Sequence, residues 1–334
     1  NGANERMRID SSGNIGIGTD SPSNKLHIYD GTYNLQMDGN EINHSDSNAF
    51  YIKSGGTIEF QPSATTRFVL DSNSRISLSN NDSSGTTTNT VFGRLAGANG
   101  TMGSNNAFFG DAVANNTLTA DADNNAGFGY RALHMLTSGE QNVAVGAYAL
   151  DAEDDGDRNT AIGYQALTAQ TGTSGTVGNT AVGHNSGSAL TTGDNNTFIG
   201  YKAAGTGVVT GNQNTAVGTF ALNDLTSGGT NVAVGTRAGL VLTEGDSNVF
   251  VGKDAGDSAT VINEAVLIGH NAGNAISTST AVDGTIGIGA EALAALTTGA
   301  NNTAIGYQAM STHTTGHSNI VIGSGAMDDT DAGS

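Results

Sequence analysis

"NTAIGYQAL" fills residues 159–167 and "NTAIGYQAM" returns at residues 302–310, with looser copies between and around them. Each copy closes a short apolar run on a glycine. Aligned on that glycine, the chain gives Gly93, Gly110, Gly129, Gly146, Gly163, Gly183, Gly200, Gly218, Gly235, Gly252, Gly269, Gly289, Gly306 and Gly323. Nine of the thirteen intervals are 17 residues and none leaves the range 17 to 20. A period this short is too small for a helical-pair array and suits one rung of a β-solenoid.

Reading down the columns turns the period into structure. The residue before the glycine is always large and apolar: Phe92, Phe109, Phe128, Val145, Ile162, Val182, Ile199, Val217, Val234, Val251, Ile268, Ile288, Ile305 and Ile322. Two places earlier Thr, Val and Ile dominate. Side chains alternate across a strand, so these two columns share one side, and their β-branched bulk predicts the core stack. The column between them is small or apolar rather than polar, as at Ala144, Ala161, Ala181, Phe198, Ala216, Ala233 and Phe250. A half-exposed strand would place Thr, Lys or Glu there. This second face is therefore expected to pack against other copies of the chain. Asn stands four residues before the glycine in 12 of the 14 copies, failing at Ala265 and Thr285. Asn suits turns, and stacked Asn side chains can bond from rung to rung. Each rung is expected to hold two short strands joined at the glycine and closed by a turn.

Composition narrows the function. Gly numbers 49 of 334 residues, aromatics are 5%, and Trp and Cys are absent, which removes disulfides, thiol nucleophiles and Cys-based zinc sites. The two prolines, Pro22 and Pro62, lie outside the repeat, whose backbone N–H groups all stay available for pairing. A net charge of −19 repels phosphate backbones, so nucleic acid is not an expected partner. No apolar run approaches the ~20 residues of a membrane span, so no membrane insertion is expected. The opening residues do not look like a signal peptide, and without an initiator Met the chain reads as a piece of a longer protein.

Residues 1–88 lack the period. They read as short strands punctuated by Gly and Asn, at Arg8–Asp10, Asn14–Ile17, Lys25–Ile28, Thr57–Phe60 and Arg75–Leu78, and their low apolar content suggests intertwining with other chains. The polar stretch "SNNDSSGTTT", residues 79–88, is the expected junction. The predicted architecture is all-β: a segment of short strands over 1–88, then a β-solenoid of about 14 rungs over 89–334 that packs against other copies of the chain.

The copies "NTAIGYQAL", "NTAVGTFAL" (214–222) and "NVAVGAYAL" (142–150) resemble the head repeats of trimeric autotransporter adhesins, the YadA-like β-roll. "MRIDSSGNIGIGTDSPSNKLHI", residues 7–28, resembles a segment of bacteriophage tail fibres. Together the resemblances cover nearly the whole chain. They imply a homotrimeric fibre on a virion surface that works by adhesion to a host cell-surface glycan or protein and joins other virion proteins. A bacterial trimeric adhesin or extracellular matrix filament on the cell surface is the alternative, and a polysaccharide-degrading fibre enzyme a second.

No catalytic residue is expected. The sequence has no Gly-x-Ser-x-Gly elbow and no phosphate loop ending Gly-Lys-Ser/Thr. Glycan cleavage would need two carboxylates on one groove, whereas Glu140, Asp194, Asp224, Glu244 and Asp246 fall in loops where solvation explains them. No cofactor is expected either. The densest acidic cluster, 151–157, has Ile162 where an EF-hand needs its twelfth-position Glu, which leaves weak calcium binding at Asp151, Glu153 and Asp155 as the one cation reading beside a solvated turn. His313 and His317 stand four apart in a loop without a third ligand nearby. The position after the glycine holds Tyr130, Tyr164, His184, Tyr201, His270 and Tyr307. Packed against the next rung, this column is structural, which is the expectation; turned outward, it forms a surface aromatic ladder suited to stacking on sugar rings.

Overall fold

A computed structural model describes residues 6–23, 25–29, 34–38, 41–43, 89–171, 175–276 and 282–328. The chain divides into two compact units, Asn1–Ile76 and Ser77–Ser334. The predicted junction near residue 88 and the strands expected at 57–60 and 75–78 lie outside the described residues.

In the first unit, β1 (Met7–Ile9), β2 (Ile15–Ile17), β3 (Leu26–Tyr29), β4 (Asn34–Asp38) and β5 (Glu41–Asn43) form one sheet in chain order. All pairs are antiparallel except β2 with β3, where Ile15 lies opposite Leu26. Asp10 closes the β1–β2 turn by accepting the backbone N–H groups of Ser12 (2.8 Å) and Asn14 (2.9 Å). The bond from Asn14 holds its carboxyl below the usual carboxylate range. Met7 and Ile9 remain exposed.

The second unit is the predicted solenoid. Fourteen three-residue strands, from Thr90–Phe92 to Ile320–Ile322, stack in chain order as one parallel sheet. Register is kept throughout: Thr160 lies on Val143 and Thr180, and Ile162 on Val145 and Val182. At ~4.8 Å per strand the sheet is about 65 Å long.

Which face is inside differs from the expectation. The middle column fills the interior: Ala144, Ala161, Ala181, Phe198, Ala216, Ala233 and Phe250 are fully buried within the single coil. The flanking column points out. Val145, Ile162, Ile199 and Val234 are 37–39% exposed and Ile322 69%, while Val182, Val217, Val251, Ile268, Ile288 and Ile305 are half-buried. The reason is width: a coil of 17 residues encloses too narrow a lumen for a β-branched residue on every strand. The residues assigned to the core stack thus form the outer sheet face, and those assigned to the inter-chain face form the core.

The lumen is filled by complementary sizes. The middle strand residue faces the residue four places after the glycine, and the pair alternates large with small: Ala161 with Leu167, Ala216 with Leu222, Phe198 with Ala204, Phe250 with Gly256, Leu267 with Gly273, Gly287 with Leu293. Where both are small, as at Ala233 and Gly239, the ring of the next rung fills the space, and a Cβ on Gly239 would lie 2.7 Å from Phe250 Cδ2. Packing at interior density requires this compensation.

Two features hold one rung to the next. The Asn column is buried from Asn89 to Asn248, and each side-chain oxygen accepts the backbone N–H of the following rung, as from Asn248 to Asn231 (3.0 Å). Except at Asn159, each amide nitrogen donates onward to a loop carbonyl, as from Asn231 to Gly245 O (2.7 Å). The run ends where Ala265 N donates to Asn248 Oδ1 (3.0 Å), and it resumes at Asn302 and Asn319. Each such bond contributes about 1 kcal/mol net, while a buried donor left bare costs more. A second, more exposed file of Asp and Asn acts alike: Asp157 accepts Glu140 N (2.8 Å), Asn263 accepts Asp246 N (2.9 Å) and Asp283 accepts Asn263 N (2.9 Å).

The expected second strand after the glycine is not formed. Gly163 takes φ +139°, and the residues two and four places on, Gln165 (55°) and Leu167 (50°), are left-handed, as is Arg158 (62°) before the strand. Alternation of right- and left-handed residues bends the chain where a strand would run straight.

Candidate functional site

The outer surface carries one continuous aromatic feature. Tyr130, Tyr148, Tyr164, His184, Tyr201 and Phe220 occupy six successive rungs, and neighbouring ring centroids are 5.1–6.0 Å apart. The rung spacing of the parallel sheet sets this interval. Tyr130–Tyr148, Tyr148–Tyr164 and Tyr201–Phe220 meet edge to face at 81–89°, whereas His184 is tilted by 30° and 40° against its two neighbours. Both geometries are favourable between quadrupolar rings. The rings pack on one another and still face solvent: Tyr130, Tyr164 and Tyr201 are 43–45% exposed.

Four of the six predicted column members belong to this ladder. Exposed His270 and Tyr307 stand apart from it, because Thr236, Lys253 and Ala290 take the ring position in the rungs around them. Tyr148 and Phe220 were missed, since each lies one residue further from the glycine. Their rungs carry Ala147 and Thr219 in the expected place, and the left-handed backbone at Tyr148 (φ 61°) and Phe220 (φ 58°) brings the ring back into file. A rung lacking an aromatic at the first position but holding one at the second was the available signal.

The charges beside the ladder are few. The Arg131 guanidinium lies 5.5 Å from the Tyr148 ring centroid and pairs with Asp151 (3.1 Å), and the Lys202 ammonium lies 5.8 Å from that of Tyr201. His134 sits near Arg131, and burial followed by that positive charge lowers its pKa from the usual range. Desolvation raises the Tyr148 phenol.

The structure separates the residues of the calcium reading. Asp151 turns to Arg131, while Glu153, Asp154 and Asp155 come together. Glu153 is fully buried, and both its oxygens are engaged: Oε1 accepts Gly156 N (2.7 Å) and Asp154 N (3.1 Å), and Oε2 accepts Gln170 Nε2 (2.6 Å). Gln170 Oε1 in turn accepts from Asn179 (3.2 Å). Glu153 and Gln170 stand seven residues after their glycines, where the rungs on either side place Leu136 and Leu190, so a buried polar pair takes the position that Leu fills in those rungs. His313 takes the same column position and is buried, while His317 stays exposed.

Burial is the main cause that raises the Glu153 carboxyl above its ordinary 4.5. The folded coil therefore binds this proton more tightly than the unfolded chain does. The group's stabilising contribution is complete below about pH 4.5 and is lost as pH rises through the higher folded value. Glu153→Gln removes the charge while keeping the side chain's size and one acceptor oxygen for Gly156 N and Asp154 N. It is expected to raise the thermal midpoint at pH 7 and to leave it near that of the natural chain in acid, as read by melts across pH. A midpoint lowered at pH 7 but not in acid would show instead that the carboxylate is needed as an anion.

Neither a protein-family model nor a curated protein sequence matches the chain. No helix among the described residues is long and apolar enough to cross a membrane.

Proposed function

We propose that this protein is a structural fibre segment, homotrimeric, which extends from a phage virion and acts in adhesion to the host surface. The observation that carries the reading is the outer sheet face. Fourteen successive strands place Val, Ile, Phe, Thr or Ala outward, partly exposed, in one uninterrupted file that includes Phe92, Phe109 and Phe128 stacked at 4.9–5.2 Å. An apolar strip of this length marks an interaction surface on a soluble chain, and a straight file repeating at rung spacing suits an identical, parallel copy. The repeat resemblance supports three copies, and the phage reading rests on the opening segment.

Because the strip lies outside the coil, assembly and folding can be tested separately. Light scattering of the intact chain is expected to give the mass of three copies. Ile162→Lys combined with Val182→Lys is expected to yield single chains whose β-sheet circular dichroism is retained. A natural chain that stays well folded at the mass of one copy would overturn the assembly. For adhesion, labelled chain should bind intact candidate host cells and be displaced by unlabelled chain.

A further inference from the structure

The geometry points to the six-ring ladder from Tyr130 to Phe220 as a docking track for an extended, uncharged polysaccharide laid along the solenoid axis, an inference that rests on the adhesive reading and names its ligand. Three observations select this occupant. The first is form: rings repeat at 5.1–6.0 Å over six rungs in a line, so the track fits a linear ligand built of repeating units. The second is chemistry. A sugar ring has an apolar C–H face and a rim of hydroxyls, and half-exposed Tyr and His offer an aromatic surface with a polar tip. The third is charge. At −19 the chain disfavours a polyanion, and the ladder itself contains no carboxylate to hold a polycation. Its two adjacent cations are engaged, Arg131 with Asp151 and Tyr148, and Lys202 with Tyr201. A second copy of the chain has a better seat on the aliphatic outer sheet face, which the glycine bend separates from the ladder.

The test uses the full chain in affinity electrophoresis through gels containing uncharged glucans, mannans and galactans, with carboxylated and sulfated polysaccharides run beside them. At least one uncharged polymer is expected to retard the chain. Tyr164→Ala with Tyr201→Ala should weaken that retardation by about tenfold or more, Tyr164→Phe with Tyr201→Phe should keep most of it, and Tyr307→Ala should leave it unchanged. Melting of each variant checks its fold. Retardation by none of the uncharged polymers, by acidic polymers alone, or to the same extent after ring removal would overturn the proposal. So would a change in native mass on ring removal, which would make the ladder a contact between copies. Should the chain still bind cells while no uncharged polymer retards it, the adhesive reading stands and the glycan track falls.

Discussion

Replacing Gly163 by alanine is expected to open the middle of the coil, at a cost above ~4 kcal/mol. Two penalties combine there. Its φ of +139° is poorly suited to any residue with a side chain, and an added Cβ would lie 2.3 Å from Gly183 O and 2.6 Å from Gly183 C in the next rung. Backbone atoms of a stacked rung have nowhere to retreat. Gly323 separates the two terms, since it shares the conformation (φ +138°) but its nearest described neighbour to a new Cβ is Ala326 Cβ at 3.6 Å. Gly323→Ala should therefore cost only the conformational part, about 1–3 kcal/mol. Because stacked repeats open locally, amide hydrogen exchange is the suitable measurement. Equal effects at the two positions would refute the steric account of the column.

Phe250→Ala is expected to cost about 3–5 kcal/mol, by the cavity left when a buried ring is removed. Alanine is nevertheless the commonest residue at that position in other rungs, so the loss arises from the partner rather than from the strand. Gly256 and Gly239 leave room for the ring, and a Cβ on either would lie 2.7–3.0 Å from it. Phe250→Ala with Gly256→Leu recreates the Ala161–Leu167 pairing, and Leu167 (φ 50°) already tolerates the backbone that Gly256 (φ 57°) adopts. The double variant should recover most of the lost stability, whereas Gly256→Leu alone should be destabilising through overpacking. Denaturant unfolding of the four chains gives the coupling energy, and strict additivity would show that the two residues do not share a space.

The sequence disclosed the solenoid because its signals are one-dimensional. The glycine column, the three-residue strands such as Thr160–Ile162 and the Asn column all repeat at a fixed offset, and each has one structural use. The inside of the coil was not legible in the same way. Bulk at Ile162 and Val182 suggested burial, but only the width of the lumen decides that Ala161 and Ala181 go in. The bend after the glycine was hidden because Gln165 and Leu167 carry no turn signature and are held left-handed by stacking. In the candidate ladder, Tyr130, Tyr164, His184 and Tyr201 could be read from one column, while Tyr148 and Phe220 needed the backbone to bring an off-column residue into line. Glu153 read as part of a solvated acidic turn, since its burial depends on a contact with Gln170, 17 residues away.

The Asn file has a direction, and this bears on how such a rod is made. A finished layer offers carboxamide oxygens toward its C-terminal neighbour and finds nothing there until that neighbour arrives, much as a crystal face awaits the next sheet of molecules. Left-handed residues within a layer discourage it from forming by itself, so growth should proceed from an existing front and follow the order in which a ribosome releases the chain. Ala265 and Thr285 interrupt the guide, and a growing rod would be expected to hesitate there.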